Sequence, residues 1–205
     1  MKPAFSSKEV TKLLTDIILP FYEVRRDMVV NLTGDRRFEN DAEHSWALTM
    51  LAVVLTPKLD PKLDMARVCQ IAAVHDLVEI FAGDTTLFGT EEKLASKDAR
   101  ETKARKKLAK YFTSAPWVLK LVDEYSDKSS LEARYVSALD KYLAYATRNL
   151  DASRFYKEMN MTKKFYDARM ISHRKKAQSH PGVYAMYKEL DAFIDAHPEF
   201  FAPEI

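Results

Sequence analysis

The sequence predicts an all-α fold, a single-domain helical bundle. Three observations carry this. The chain holds only four glycines, its long runs lack proline, and no run sustains the period-two alternation of a half-buried strand. At 205 residues it is most simply one domain, 1–205, long enough to bury a core without disulfides.

The elements follow in order. Ser6 or Ser7 is placed to cap a first helix running to about residue 19, where Pro20 ends or kinks it. Residues 31–37 read as a loop, with Gly34 free to take positive φ. Asn40 and Glu43 form a capping-box pattern that opens a helix to about residue 55. Pro57 and Pro61 bound the next connection, and a third helix covers roughly 65–81 before Gly83 stops it. Thr90, followed by Glu91 and Glu92, starts a long charged helix to about residue 112, with acids near its positive end. Pro116 opens a shorter helix to about 125, and Ser129 or Ser130 another to about 150. Two C-terminal helices, about 153–178 and 182–196, are separated by the Pro181-Gly182 break.

Bulk properties exclude several classes. Hydrophobic residues make up 47% of the chain and charged residues 30%, the balance of a soluble globular protein. A formal charge of +2 gives no argument for nucleic-acid binding. The basic run Lys103, Arg105, Lys106, Lys107 and Lys110 shares its helix with Glu91, Glu92, Asp98 and Glu101, so it reads as a solvated face. The first nine residues are polar, unlike a signal peptide, and nothing approaches the ~18 uninterrupted apolar residues of a membrane span. The single cysteine, Cys69, excludes an intramolecular disulfide framework and suits a reducing compartment, so a cytoplasmic location is expected. Its neighbours Val68, Ile71 and Ala72 make it a small buried side chain rather than a nucleophile.

Chemistry concentrates in two blocks, Glu39-Asn40-Asp41-Ala42-Glu43-His44-Ser45 and Ala73-Val74-His75-Asp76-Leu77-Val78-Glu79, the second followed by Ala82-Gly83-Asp84. His44 shares a helical stripe with Ala47, Leu48 and Leu51. His75 lies with Ile71, Val78 and Ala82, and Asp140 with Val136, Leu143 and Thr147. Polar groups on apolar stripes need partners, and facing helices of a bundle build metal sites from such side chains. Two imidazoles with the carboxylates of Asp76 and Asp140 make a nitrogen–oxygen donor set. It suits one divalent transition ion, Mn²⁺, Co²⁺, Ni²⁺, Fe²⁺ or Zn²⁺, better than Ca²⁺. Glu79, four residues after His75, can reach the edge of such a site to handle a proton, and Asp84 is a second candidate for that role. Arg37, at the mouth of the second helix, can hold an anionic substrate group bidentately.

These blocks, with the later Leu139-Asp140-Lys141, resemble the HD-domain metal-dependent phosphohydrolases and look closest to their 5′-deoxynucleotidase branch. The resemblance covers roughly residues 35–150; the C-terminal helices carry no recognised motif. It implies metal ligands at His44, His75, Asp76 and Asp140, with Glu79 beside the nucleophilic water or leaving group and Asp84 close to the substrate. It also implies an all-α bundle, commonly dimeric, and a (deoxy)nucleoside 5′-monophosphate as the small-molecule substrate. The nucleotidases also use an upstream phosphate-binding Arg, usually beside a Trp; here Arg25-Arg26 stand in that region without an adjacent Trp.

Blander readings stand beside these. Glu43 is a capping residue before it is a catalyst. Asp140 can instead pair with Arg134 or Arg148, and Trp46 can be core or pocket wall. His173, His180 and His197 read as surface residues, and no second adjacent His pair calls for a second metal. Two functional alternatives also stand: another phosphoester, such as a nucleoside triphosphate or cyclic nucleotide, or a non-catalytic nucleotide-binding module.

Overall fold

The computed structural model describes residues 5–30, 37–150 and 152–204. Helices dominate, as expected. A first helix α1 (Ser7–Leu13) begins at Ser6, whose side chain and Glu9 form a reciprocal capping box. It continues through a π-helical turn (Leu14–Ile18) into α2 (Leu19–Phe21). Pro20 lacks an N–H, and the widened turn before it absorbs the missing backbone bond.

The first departure from expectation follows. Arg25–Val30 (β1) and Arg37–Asn40 (β2) pair antiparallel, with Arg25 opposite Asn40 and Val29 opposite Phe38. The predicted loop at 31–36, including Gly34, lies outside the described residues, while Arg37 belongs to a strand. Two strands this short, with an irregular register between Arg25 and Val29, leave too brief an alternation to stand out in sequence.

Asn40 caps α3 (Asp41–Leu59), and its box with Glu43 forms as the spacing requires. The helix runs through Pro57 instead of ending before it. Val53, whose carbonyl loses its usual partner there, is exposed to water. The predicted helix over 65–81 is broken. After α4 (Met65–Val74), residues 75–78 form tight turns closed by Leu77 N–H to Val74 O and Glu79 N–H to Asp76 O, before α5 (Glu79–Ala82). Gly83 ends α5 at φ 72°, a conformation its missing Cβ permits.

The charged helix divides at Ser96 into α6 (Glu91–Ala95) and α7 (Lys97–Leu108). Then come α8 (Pro116–Asp127) and α9 (Leu131–Asn149), the latter capped by Ser130. The predicted helix over 153–178 is two, α10 (Ala152–Glu158) and α11 (Lys163–Ala177), separated at Asn160, whose φ is 47°. The last long helix is α12 (Pro181–Asp195).

Helix α9 is the axis of the molecule. It packs against α3, α4, α8, α11 and α12, which accounts for buried residues on nearly every side of it, from Ala133 to Arg148. One apolar cluster joins α3, α4 and α9 through Leu48, Ile71 and Leu139; a second, rich in tyrosine, joins the far half of α9 to α11 and α12. Asp140 sits between the two, near the middle of α9. His173 and His180, expected at the surface, are buried instead. His173 meets the Tyr187 hydroxyl at 2.6 Å, and His180 caps α12 while packing edge-on against Tyr135.

Candidate functional site

Each polar residue of the site arrives from a different element. His44 stands on the first turn of α3, aimed inward because Leu48 and Ala52 on the same stripe are fully buried. His75 and Asp76 open the tight turns after α4, and Glu79 begins α5. The turns hold all three side chains on one side of the chain, a result a continuous helix would not give for adjacent His75 and Asp76. Asp140 projects from α9.

These groups converge. One ligand atom each from His44, His75 and Asp140 lie within 4.8 Å of one another. His44 Nε2 is 3.0 Å from Asp140 Oδ1, and His75 Nε2 is 3.0 Å from Asp76 Oδ2. The His75 ring is oriented from behind, where Nδ1–H donates to Ala72 O at 2.9 Å and turns Nε2 toward the cluster. His44 Nδ1 faces Glu39 Oε2 at 3.5 Å. Imidazole nitrogens and carboxylate oxygens gathered at one point, each ring oriented by an outer acceptor, are what a divalent cation requires. The residues present fit such an ion.

A second carboxylate group adjoins the first. Ligand atoms of Asp41, Asp76 and Glu79 also lie within 4.8 Å of one another, but here the cation is Arg26. Its Nη1 donates to Asp41 Oδ1 at 2.9 Å and to Asp76 Oδ2 at 3.0 Å, while Nε stands 3.3 Å from Glu39 Oε2. Arg26 shares a face of β1 with buried Met28, two residues on, so the strand itself delivers it inward.

Electrostatics differentiate the carboxylates. Burial pushes Asp76 and Asp140 up, yet the surrounding cations and imidazoles outweigh it: His75 and Arg26 hold Asp76 below the usual range, and Lys141 and His44 hold Asp140 well below it. At Glu79 the balance reverses, and Arg26 is outweighed. Burial, then the charges of Asp76 and Asp41, push it well above the usual range, and its Oε2 is buried without a hydrogen bond. Burial and Asp76 raise Asp41 to about 7. Burial and Arg26 pull His44 down, but Asp140 and Glu39 prevail and hold it above its usual value. Tyr125 stays protonated, raised by burial and Asp140, and donates its hydroxyl to Asp140 Oδ2 at 2.9 Å.

A cavity of about 880 Å³ opens over this cluster, bounded by Arg26, His75, Asp76, Glu79, Asp84 and Asp140 among others. Asp84 stands on the loop after Gly83. Arg100 of α7 ties that loop down, donating to Ala82 O at 2.6 Å and to Thr85 Oγ1 at 2.7 Å. Four cations, Lys128, Lys141, Arg148 and Lys176, also line it. Burial and Lys141 lower Lys128 to about 8.

Six of the seven residues singled out in sequence therefore meet here: His44, His75, Asp76, Asp140, Glu79 and Asp84. Arg37 does not. Its Nη1 donates to Glu43 Oε2 at 2.8 Å, outside the cavity and largely in water. Asp140 pairs with His44, Tyr125 and Lys141 rather than with Arg134 or Arg148. Trp46 is 69% exposed, neither core nor pocket wall. Sequence reasoning did not assign Arg26, Glu39, Asp41 and Tyr125 to the site. The two acids lay inside the first motif block, whereas Arg26 was hidden by the unrecognised strand and Tyr125 by its place at the end of an amphipathic helix.

The family described as HD domain matches residues 23–180. The chain is 29% identical over 157 residues to a 5′-deoxynucleotidase of Saccharomyces cerevisiae, a match taking in 68% of this chain and 62% of that protein. It is 29% identical over 108 residues to a 5′-deoxynucleotidase of Homo sapiens, covering 52% and 51%. The match thus spans between half and two thirds of those relatives' length. A 5′-deoxynucleotidase of Schizosaccharomyces pombe is 25% identical over 146 residues, covering 68% of this chain and 72% of that one. In fold, the chain is similar to a Magnetospirillum magnetotacticum protein described as a metal-dependent phosphohydrolase. That likeness has a TM-score of 0.75 at 24% identity and covers 99% and 100% of the two chains.

Proposed function

The chain belongs to the HD-domain family, and from that premise we propose that it is a metal-dependent phosphohydrolase releasing phosphate from (deoxy)nucleoside 5′-monophosphates. The observation that carries the proposal is the convergence of His44, His75 and Asp140, with Asp76 Oδ2 3.0 Å from His75 Nε2, beside the guanidinium of Arg26. The curated relatives named 5′-deoxynucleotidases support the choice of substrate.

In this reading His44, His75, Asp76 and Asp140 hold one divalent transition ion. When bound, the ion supplies Lewis-acid charge at the phosphate and acidifies a water. The chain's own residues do the rest. Arg26, rather than Arg37, offers positive charge to a phosphate oxygen. Glu79, kept protonated by burial and by its anionic neighbours, donates its proton to the departing ester oxygen as water adds to phosphorus. The proton lost by that water returns to Glu79, so the carboxyl ends as it began. Asp84, on the loop braced by Arg100, faces the nucleoside.

Phosphate release is measured from deoxy- and ribonucleoside 5′-monophosphates with chelator-stripped protein reloaded with Mn²⁺, Co²⁺, Ni²⁺, Fe²⁺ or Zn²⁺, and with Asp76→Ala alongside. Metal-dependent release that vanishes in the variant is expected. Silence with every metal, despite bound ion, points to another phosphoester or to a binding module.

The protein is also proposed to act as a cytoplasmic homodimer. Trp46, Met50 and Val53 form an exposed stripe on α3 at spacings of four and three, an apolar strip fit for a second copy. Among the described residues no helix is long and apolar enough to cross a membrane. Light scattering of the purified chain tests the dimer; a monomer mass at micromolar concentration sinks it.

A further inference from the structure

The cavity's basic end has no assigned task. Arg148 lies eight residues beyond Asp140 on α9, about 12 Å along the helix axis, and Ala144 between them also lines the cavity. Its side chain leans back toward the helix N-terminus, which shortens the span to the proposed metal centre. Arg148 is only 7% exposed, and its Nε and Nη1 are buried without a hydrogen-bond partner. Among the described residues no carboxylate pairs with it; the rings of Phe88 and Phe155 lie 4.9 and 5.8 Å from its guanidinium carbon. Burial lowers its pKa, as it must for a cation deprived of an anion.

A buried, unpaired guanidinium is unfavourable unless an anion completes it. The hydrophobic rings hold its flat face but offer nothing to its N–H groups, which remain directed for acceptors such as phosphate oxygens.

We propose that this end of the cavity is a second anion subsite, in which Arg148 holds a second phosphate of the same substrate. The preferred substrate is then a bisphosphorylated small molecule, a nucleoside 3′,5′-bisphosphate being the nearest fit. One phosphate lies at Arg26 and the metal centre, and the other at Arg148. The inference rests on the phosphohydrolase reading and sharpens it.

The test is binding by metal-stripped protein, read as a thermal shift without turnover. The probes are deoxyadenosine 3′,5′-bisphosphate, deoxyadenosine 5′-monophosphate and orthophosphate. The proteins are the wild type, Arg148→Met and Arg148→Lys, which keeps a cation there without the guanidinium fork. The bisphosphate is expected to shift the wild type well beyond the monophosphate, by an amount that Arg148→Met abolishes and Arg148→Lys reduces. In metal-loaded protein, KM for the bisphosphate is expected about tenfold below that for the monophosphate, with the ratio falling toward one in Arg148→Met.

Equal shifts from the two nucleotides in the wild type overturn the inference. So does a difference that persists in Arg148→Met, or protection by orthophosphate equal to that by the bisphosphate, since the subsite then takes a free anion. If Arg148→Met does not fold, Arg148→Lys decides by the same criteria. Phosphate release from the monophosphate without any Arg148-dependent shift sinks this inference alone. An Arg148-dependent shift with no release under any metal sinks the phosphohydrolase reading.

Discussion

His44 Nε2 stands 3.0 Å from Asp140 Oδ1 across 96 residues of sequence, both side chains all but sealed from water. Two acceptors at that distance repel unless something positive joins them. In metal-free protein the joining charge is a proton, which is why His44 is held above its usual pKa. A divalent ion takes the same place and must expel that proton.

Metal binding is therefore expected to release a proton near neutral pH and to weaken as pH falls. Calorimetric titration with Mn²⁺ in buffers of different ionisation enthalpy measures the proton count. Asp140→Asn, which removes the charge that holds the proton, is expected to lose the release together with most of the affinity. Binding that proves independent of pH between about 5.5 and 7.5, one pH unit either side of the ordinary His value, contradicts this.

Asp76 and Glu79 separate by role. Asp76→Ala is expected to abolish metal binding and turnover together. Glu79→Gln keeps the shape but cannot give up a proton; it is expected to retain metal while kcat drops by roughly 10²–10⁴-fold. Metal content by emission spectroscopy, set beside kcat, decides. Loss of metal from the Glu79→Gln protein refutes the division.

Arg26 holds two buried carboxylates at once. Arg26→Met leaves Asp41 and Asp76 facing each other without a cation. A loss of about 3–5 kcal/mol in urea unfolding of the metal-free protein is expected, with part recovered when metal is added. Arg26→Lys keeps the charge but not the fork, so it is expected to restore stability better than it restores KM. An Arg26→Met protein as stable as wild type shows that the carboxylates have another partner.

His173 supplies a further pH dependence. Burial, then Lys141 and Arg148, hold its pKa well below the usual value, with Lys176 adding and Asp140 opposing. The Tyr187 hydroxyl is its hydrogen-bond partner. Because the folded state refuses a proton that the unfolded state accepts below about pH 6.5, this group costs stability as pH falls below that value and nothing above it. The slope approaches about 1.4 kcal/mol per pH unit. His173→Gln is expected to flatten the wild-type curve of stability between pH 6.5 and 5 by up to that slope, and urea midpoints across the range measure it. Parallel curves for the two proteins contradict the assignment.

Much of this site was legible because its residues violate their surroundings. His44, His75 and Asp140 sit on stripes otherwise apolar, and helical periodicity exposes such intruders without any coordinates. Capping chemistry was equally readable: Ser6, Asn40, Thr90 and Ser130 all accept the backbone bonds expected of them. The failures share a cause. The strand pair carrying Arg26 is too short for periodicity to register. The turns at 75–78 replace a helix that local propensity favours, because tertiary packing directs His75 and Asp76 to the same side. Arg37 looked like a phosphate ligand by its proximity in sequence to His44, yet one strand residue changes the face a side chain occupies.

Arg100 contributes nothing to the chemistry, yet it fastens the loop bearing Asp84 to a helix without a single motif residue. The reactive centre and the rim of its entrance therefore belong to separate parts of the chain. Substitutions along α6 and α7 can move the rim, and so widen or narrow what is admitted, while the ligand cluster stays as it is. Such an arrangement lets a lineage change its diet without relearning its reaction, and it locates the differences between relatives of unlike appetite on the helices with the least recognisable sequence.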